Sequence, residues 1–207
     1  MIMARSRKPA PKSRGPAPRR LLVDERRTQL VALGVEAFSR RTYDEVSIDD
    51  VARAAGISKG LLYHYFPTKR HFYVATVREA AGQMLAMIDP DKSLPPLDRL
   101  ERGIDTYLDY VDEHRVAYAA LLRSGVGADP EVARIVDQTR QEFMRRLVEG
   151  LPVDKPTAKV RATLRGFIGF VEAASLDWLE HRDIPRAELR ALLIEVVVAA
   201  IQRVVPT

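Results

Sequence analysis

Residues Val46–Phe72 read VSIDDVARAAGISKGLLYHYFPTKRHF. Helix punctuation is dense here. Ser47-Ile48-Asp49-Asp50 has the form of a capping box, with Asp in the usual Glu position, and predicts the start of a short helix. Gly56 is placed to end that helix in the left-handed conformation. Ser58 caps a second short helix, Pro67 ends it, and Thr68 caps a third element running from Lys69 to about Ile88. Two short helices about a tight glycine turn make a helix-turn-helix. Ile48, Val51, Ala52 and Ala55 give the first helix an apolar face, and its alanines permit a close crossing. Ile57, Leu61 and Leu62 are expected to pin the second helix against it. Ser58, Lys59, Gly60, Tyr63 and His64 are then left facing outward. That set suits a duplex groove: a helix N-terminus favours phosphate, and Gly60 lets the backbone come close. Taken singly, Lys59 also reads as a solvated surface cation, and Tyr63 and His64 as helix-end packing.

Working outward, the chain predicts an all-α fold of about nine helices, with apolar residues recurring at three and four. Upstream, Leu30, Leu33, Val35, Ala37 and Phe38 lie on a first helix that Asp24 is placed to cap, with Arg40 and Arg41 at its negative end. Downstream, Asp89-Pro90 to Pro95-Pro96 reads as a linker. Further helices are expected near Leu97–Glu113, His114–Arg123, Pro130–Glu149, Thr157–His181 and Pro185–Val205, with a break at Gly125-Val126-Gly127. The architecture expected is a three-helix head carrying the helix-turn-helix, joined to a C-terminal helical bundle. Its divisions fall at 1–23, 24–75 and 76–207.

Charge placement and composition narrow the function. The 207 residues carry a net charge of +5. Met1–Val23 holds seven basic residues (Arg5, Arg7, Lys8, Lys12, Arg14, Arg19, Arg20) and no acidic one, so taking that +7 from +5 leaves −2 for the rest. With Pro9, Pro11, Pro16 and Pro18 it reads as a disordered basic arm, either a phosphate or minor-groove contact or a solvated tail. There is no cysteine, hence no disulfide framework or thiolate metal site. No apolar run reaches membrane length, and the N-terminus lacks the apolar centre of a secretory signal. A cytoplasmic location is the expectation.

The stretch resembles the DNA-binding domain of the TetR family of regulators. The residues carrying the resemblance are Ala37-Phe38 and then TYDEVSIDDVARAAGISKGLLYHYFPTK, about a quarter of the chain. It implies an obligate homodimer on double-stranded operator DNA, three N-terminal helices for that DNA, and a C-terminal domain binding a small effector, hence a repressor released by that effector, with an activator or an effector-independent DNA-binding regulator as the alternatives. By position, Lys59, Gly60, Tyr63 and His64 resemble the groove-facing residues of the family. Ser47 and Ser58 resemble its phosphate-binding helix starts, and Lys69 the fourth-helix lysine that grips phosphate. Phe66, of the aromatic pair Tyr65-Phe66, is assigned to the core.

The C-terminal half carries no comparable motif. Met84, Met87, Tyr107, Tyr110, Tyr118, Phe143, Phe167, Phe170 and Trp178 are candidate lining for an apolar ligand pocket, with simple core filling as the other reading. Asp105 and Asp109 form an i, i+4 pair, open as a cation or polar-ligand contact or as a solvated acidic face. Ala162, Gly166, Gly169 and Ala173 permit close approach by a neighbouring helix. Leu189, Leu192, Leu193, Val196, Val197, Ala200, Ile201 and Val204 give the last helix more apolar surface than one flank needs. These two helices are the expected dimer interface, and the resemblance implies a four-helix bundle with their symmetry mates. No metal or cofactor is expected. With no nucleophile elbow, phosphate-binding glycine loop, zinc triad or flavin signature, an enzyme is not the expected reading.

Overall fold

The computed structural model describes residues 23–88, 91–123, 129–153 and 155–205. The basic arm up to 22, Asp89-Pro90 and the Gly125-Val126-Gly127 break lie outside the described residues. Within them the chain forms nine α-helices and no strand: α1 (Val23–Arg40), α2 (Ile48–Ala54), α3 (Lys59–Tyr65), α4 (Lys69–Met87), α5 (Pro96–Glu113), α6 (Arg115–Arg123), α7 (Pro130–Glu149), α8 (Ala158–His181) and α9 (Arg186–Val204). None is long and apolar enough to cross a membrane.

Two starts differ from the sequence expectation. α1 already begins at Val23, so Asp24 sits beside Glu25 in the first turn and favours the helix dipole instead of capping it. Ser47 precedes α2 with an extended backbone, but its hydroxyl makes no capping hydrogen bond. Asp50 does not complete the box either: its carboxylate pairs with Arg53 at 3.0 Å and Arg41 at 3.8 Å.

α1–α4 share a core in which Leu30, Phe38, Val46, Leu62, Phe66 and Phe72 are buried. The Phe72 ring lies 6.1 Å from Phe38 and 5.1 Å from Phe66. α1 reaches α4 closely because Gly34 carries no side chain: a Cβ there would stand 2.5 Å from Thr76 Oγ1 and 2.6 Å from Phe72 Cζ. Six consecutive α4 residues, Phe72 to Val77, are buried. Such burial on all sides belongs to a helix enclosed by neighbours, here α1 and α7; Val132 and Ile135 of α7 join the same core.

A second core gathers α5, α8 and α9 around Ile104, Leu108, Val111, Leu189, Leu193 and Val197. This corrects part of the expected dimer interface. Leu189, Leu193 and Val197 are fully covered inside one chain, where they fill the apolar stripe of α5, and cannot meet a partner. Trp178 is likewise core: it is buried, its Nε1 donates to the Ile184 carbonyl at 3.1 Å, and the Arg182 guanidinium lies 3.9 Å over its ring. Arg182 itself ends α8 with a left-handed φ of 52°.

Candidate nucleic-acid interface and interior cavity

The α2–α3 turn is built by backbone hydrogen bonds. Ile57 N donates to Ala52 O at 3.0 Å and Gly56 N to Arg53 O at 3.1 Å, the two bonds of a Schellman stop. Gly56 takes the left-handed φ of 66° this stop needs; no atom lies within 4 Å of where its Cβ would be, so the demand is conformational. Ser58 Oγ then accepts the Leu61 amide at 3.1 Å and caps α3. Buried Val51, Ala52, Ala55 and Leu62 clamp the helices together.

On α3, Ser58, Lys59, Gly60 and His64 are exposed, while Tyr63 is half-buried against the head core. Leu61 departs from the expectation. It is 40% exposed and does not pin α3, because Leu62 occupies the inward position and the next residue around the helix points away. Leu61 thus adds an apolar contact to the outward face, of the kind that meets a thymine methyl. Lys59 has a partner that its sequence neighbours do not reveal: its Nζ donates to Asp49 Oδ2 at 2.8 Å across the turn. That hydrogen bond, with the carboxylate charge, raises the Lys59 pKa above its ordinary value.

α4 begins beside this face. Thr68 Oγ1 accepts the His71 amide at 3.1 Å. Lys69 Nζ donates to the Asp44 carbonyl at 3.3 Å and stands 4.7 Å over the Tyr43 ring, which aims its charge. The first turn of α4 carries the cations Lys69 and Arg70 and has no acid. Cations at a helix N-terminus oppose the dipole, which leaves the Lys69 charge available to an anion. Arg70 turns the other way, forking onto Asp129 at 2.5 and 2.9 Å, and Asp129 caps α7 through the Glu131 and Val132 amides. This tie between head and body is not legible in the sequence, since 59 residues separate its members.

The body encloses a cavity of about 600 Å³ lined from α1 and α4 through α9, within the usual range for small-molecule sites. Met84, Tyr107, Tyr110, Tyr118, Phe143 and Phe167 line it as expected. Three expected residues do not. Met87 is 53% exposed at the end of α4, Phe170 packs against the body core outside the lining, and Trp178 is core. Helical spacing placed them on apolar faces without saying which face turns inward.

The cavity's interior polar groups largely satisfy one another. The Tyr107 and Tyr118 hydroxyls are hydrogen-bonded together, Thr139 donates to the Ile135 carbonyl at 2.9 Å, and Arg140 forks onto Glu172 at 2.9 and 2.7 Å. Burial pushes the Tyr107 and Tyr118 hydroxyls upward and that of Tyr110 to about 12, so all three stay neutral. Asp105 and Asp109 are not a cation site. Arg190 and Arg186 of α9 bind Asp105 at 2.8 and 3.3 Å, and Arg186 reaches Asp109 at 2.6 Å.

On α8, Ala162, Gly166, Gly169 and Ala173 form an exposed stripe, and a Cβ on either glycine would meet nothing of the chain within 4 Å. On α9, Leu192 is exposed while Val196, Ala200 and Ile201 are half-buried.

Comparison with known proteins agrees with this geometry. Residues 96–200 match the family described as "Tetracyclin repressor-like, C-terminal domain", and residues 30–76 match "Bacterial regulatory proteins, tetR family". A crystal structure of a tetR-family transcriptional regulator from Streptomyces coelicolor is 38% identical with a TM-score of 0.82, over 88% of this chain and 83% of that one. The transcriptional activator FasR of Mycolicibacterium smegmatis is 27% identical over 55% of this chain and 53% of its own length. The repressor KstR of Rhodococcus jostii is 23% identical over 76% and 74% respectively. The match thus spans about half the length of FasR. FadR of Bacillus subtilis, solved in complex with stearoyl-CoA, shares the fold at 18% identity and a TM-score of 0.63, over 84% of this chain and 97% of that one. The chain belongs to the TetR family of bacterial regulatory proteins.

Proposed function

We propose that the chain regulates transcription as a homodimer that binds operator DNA through α3 and leaves it when a small apolar molecule occupies the body cavity. The observation that carries this reading is the exposed face of α3. A capped helix presents Lys59, Gly60, Leu61 and His64 to solvent beside the basic first turn of α4. Ser47, whose hydroxyl makes no cap bond, Ser58 and Lys69 are assigned to phosphate. Tyr63 is assigned to the groove through its accessible edge. The head at 24–75 contacts DNA and the body at 76–207 holds ligand and partner, with α4 crossing the division unbroken.

The dimer face is assigned to Ala162, Gly166, Gly169 and Ala173 of α8 with Leu192, Val196 and Ala200 of α9; Ile201, expected there, lines the cavity instead. Twofold symmetry would set two α3 helices about one duplex turn apart on a palindrome. Similarity to KstR, named a repressor, favours release from DNA as the regulatory step; similarity to FasR, named an activator, supports the opposite sign. Reporter output after deleting the gene distinguishes them.

Selection from a random duplex library by the purified chain tests the reading. It expects enrichment of an inverted repeat, bound by wild type and weakened by Lys59→Ala without a change in melting. Enrichment of no sequence over non-specific DNA would refute it.

A further inference from the structure

The cavity reaches the surface between the start of α5 and the end of α7, where Lys92, Pro96 and Leu97 of its lining are exposed, Leu97 at 48%. Arg99 lines this mouth and lies against the end of α7: a Cβ on Gly150 would stand 3.9 Å from its Nη2. Its Nε is buried, yet has no hydrogen-bond partner. The other cations of the mouth are engaged, Lys92 with Glu149 at 3.8 Å and Arg146 with Glu142 at 2.9 Å and the Leu85 carbonyl at 2.6 Å. Arg99 has no such partner among the described residues. A buried guanidinium nitrogen without an acceptor is costly. The C-terminal dipole of α7 attracts the charge, but no carboxylate among the described residues pairs with it, so the rest of the guanidinium is what an anion at the mouth would meet.

Deeper inside the balance reverses. Arg140 is already forked onto Glu172, and the Tyr107 hydroxyl stays neutral. An anion carried inward would meet no unmatched positive charge; an alkyl chain would meet Phe143, Phe167 and Ile104. We infer that the cavity takes a single-chain amphiphile, its apolar tail inside and its anionic head held by Arg99 at the mouth. This rests on the cavity being the effector site proposed above, and it adds the ligand's chemical class and orientation.

Three probes share one tail: palmitate, palmitoyl-CoA and methyl palmitate. Each is titrated into the full chain by calorimetry, alongside Arg99→Gln, which keeps most of the stem and removes the charge. A melting curve of the free variant verifies its fold. At least one anionic probe should bind, methyl palmitate should bind roughly ten- to hundredfold more weakly, and Arg99→Gln should erase that difference. Binding of palmitate identifies a free carboxylate as the head; binding of the thioester alone identifies the phosphates of its carrier. Equal binding of the neutral ester, an Arg99→Gln variant that binds the anions as wild type does, or no binding by either anion overturns the inference. Operator selection is scored separately: DNA binding without amphiphile binding sinks only this inference, whereas failure to select any DNA sinks the functional reading.

Discussion

Replacing Gly34 by alanine should loosen the head by an amount that can be worked from its neighbours. The new methyl would lie 2.5 Å from Thr76 Oγ1 and 2.6 Å from Phe72 Cζ, the latter roughly 1 Å inside the 3.5–4.0 Å optimum for carbon pairs. Neither neighbour yields easily. Thr76 Oγ1 is buried and donates to the Phe72 carbonyl at 2.9 Å, and Phe72 is fully buried between two other rings. Relief therefore requires α1 and α4 to separate, which belongs at the upper end of overpacking costs, about 3 kcal/mol. Alanine's better helix propensity returns about 1 kcal/mol. The net loss is about 2 kcal/mol, which for a chain of this size lowers the melting temperature by about 4–8 °C. Gly82→Ala is the control, since no atom lies within 4 Å of its Cβ position, and it should melt slightly higher than wild type. Thermal unfolding followed by circular dichroism and calorimetry reads both. A Gly34→Ala protein melting at or above wild type would show that α1 and α4 are not in the contact described.

Other expectations follow from the two surfaces and the buried tyrosines. Lys59→Ala should weaken operator binding and, if Lys59 reaches a phosphate, flatten the log–log salt dependence by about 0.9. Asp49→Asn should strengthen binding by releasing Lys59 from its 2.8 Å partner; shifts of the same sign in both variants would exclude the competition. Gly166→Leu should leave the folded chain intact but convert the dimer to monomer in analytical ultracentrifugation, and an unchanged mass would remove α8 from the interface. Burial pushes Tyr73 and Tyr110 up to about 12, against about 10 for a free tyrosine. The folded state then binds more protons between those values, so this stabilisation is whole below about pH 10 and is lost as pH rises to about 12. Phenolate absorbance should show the late ionisations arriving together with loss of helical dichroism; complete ionisation with helices intact would contradict the burial.

The head was legible because its boundaries are written in residues with few conformational options. Gly56, Ser58, Pro67 and Thr68 each do locally what their chemistry favours, and the helices α2 to α4 follow. The body's helices were legible for the same reason, from Pro130, Thr157 and Pro185. What local chemistry does not contain is which face of a helix meets which neighbour. α9 is apolar around much of its circumference, so Leu189, Leu193 and Val197 read as surplus surface until α5 is placed against them. Leu61 and Leu62 are equally apolar, and only the docking of α3 decides which turns in. Arg99, Arg140 and Glu172 look in the sequence like ordinary charged residues of amphipathic helices; their roles arise from elements far apart in the chain.

Asp129 has two obligations at once, ending the exposed amides of α7 and receiving the Arg70 fork from α4. A carboxylate shared in this way resists sliding of one helix along the other, and Arg146 of α7, donating to the Leu85 carbonyl, ties the far end of α4 as well. α4 spans 19 residues, about 28 Å of axis, and is held to α7 near both ends. In the regulation proposed above, a ligand that displaced α7 would therefore carry α4 with it, and the head with α4. In the proposed dimer, two heads moved in this way would keep their internal contacts while the distance between their α3 axes alters. Regulation of that kind would place the sensitivity in the spacing of a pair, leaving each reading surface as it was.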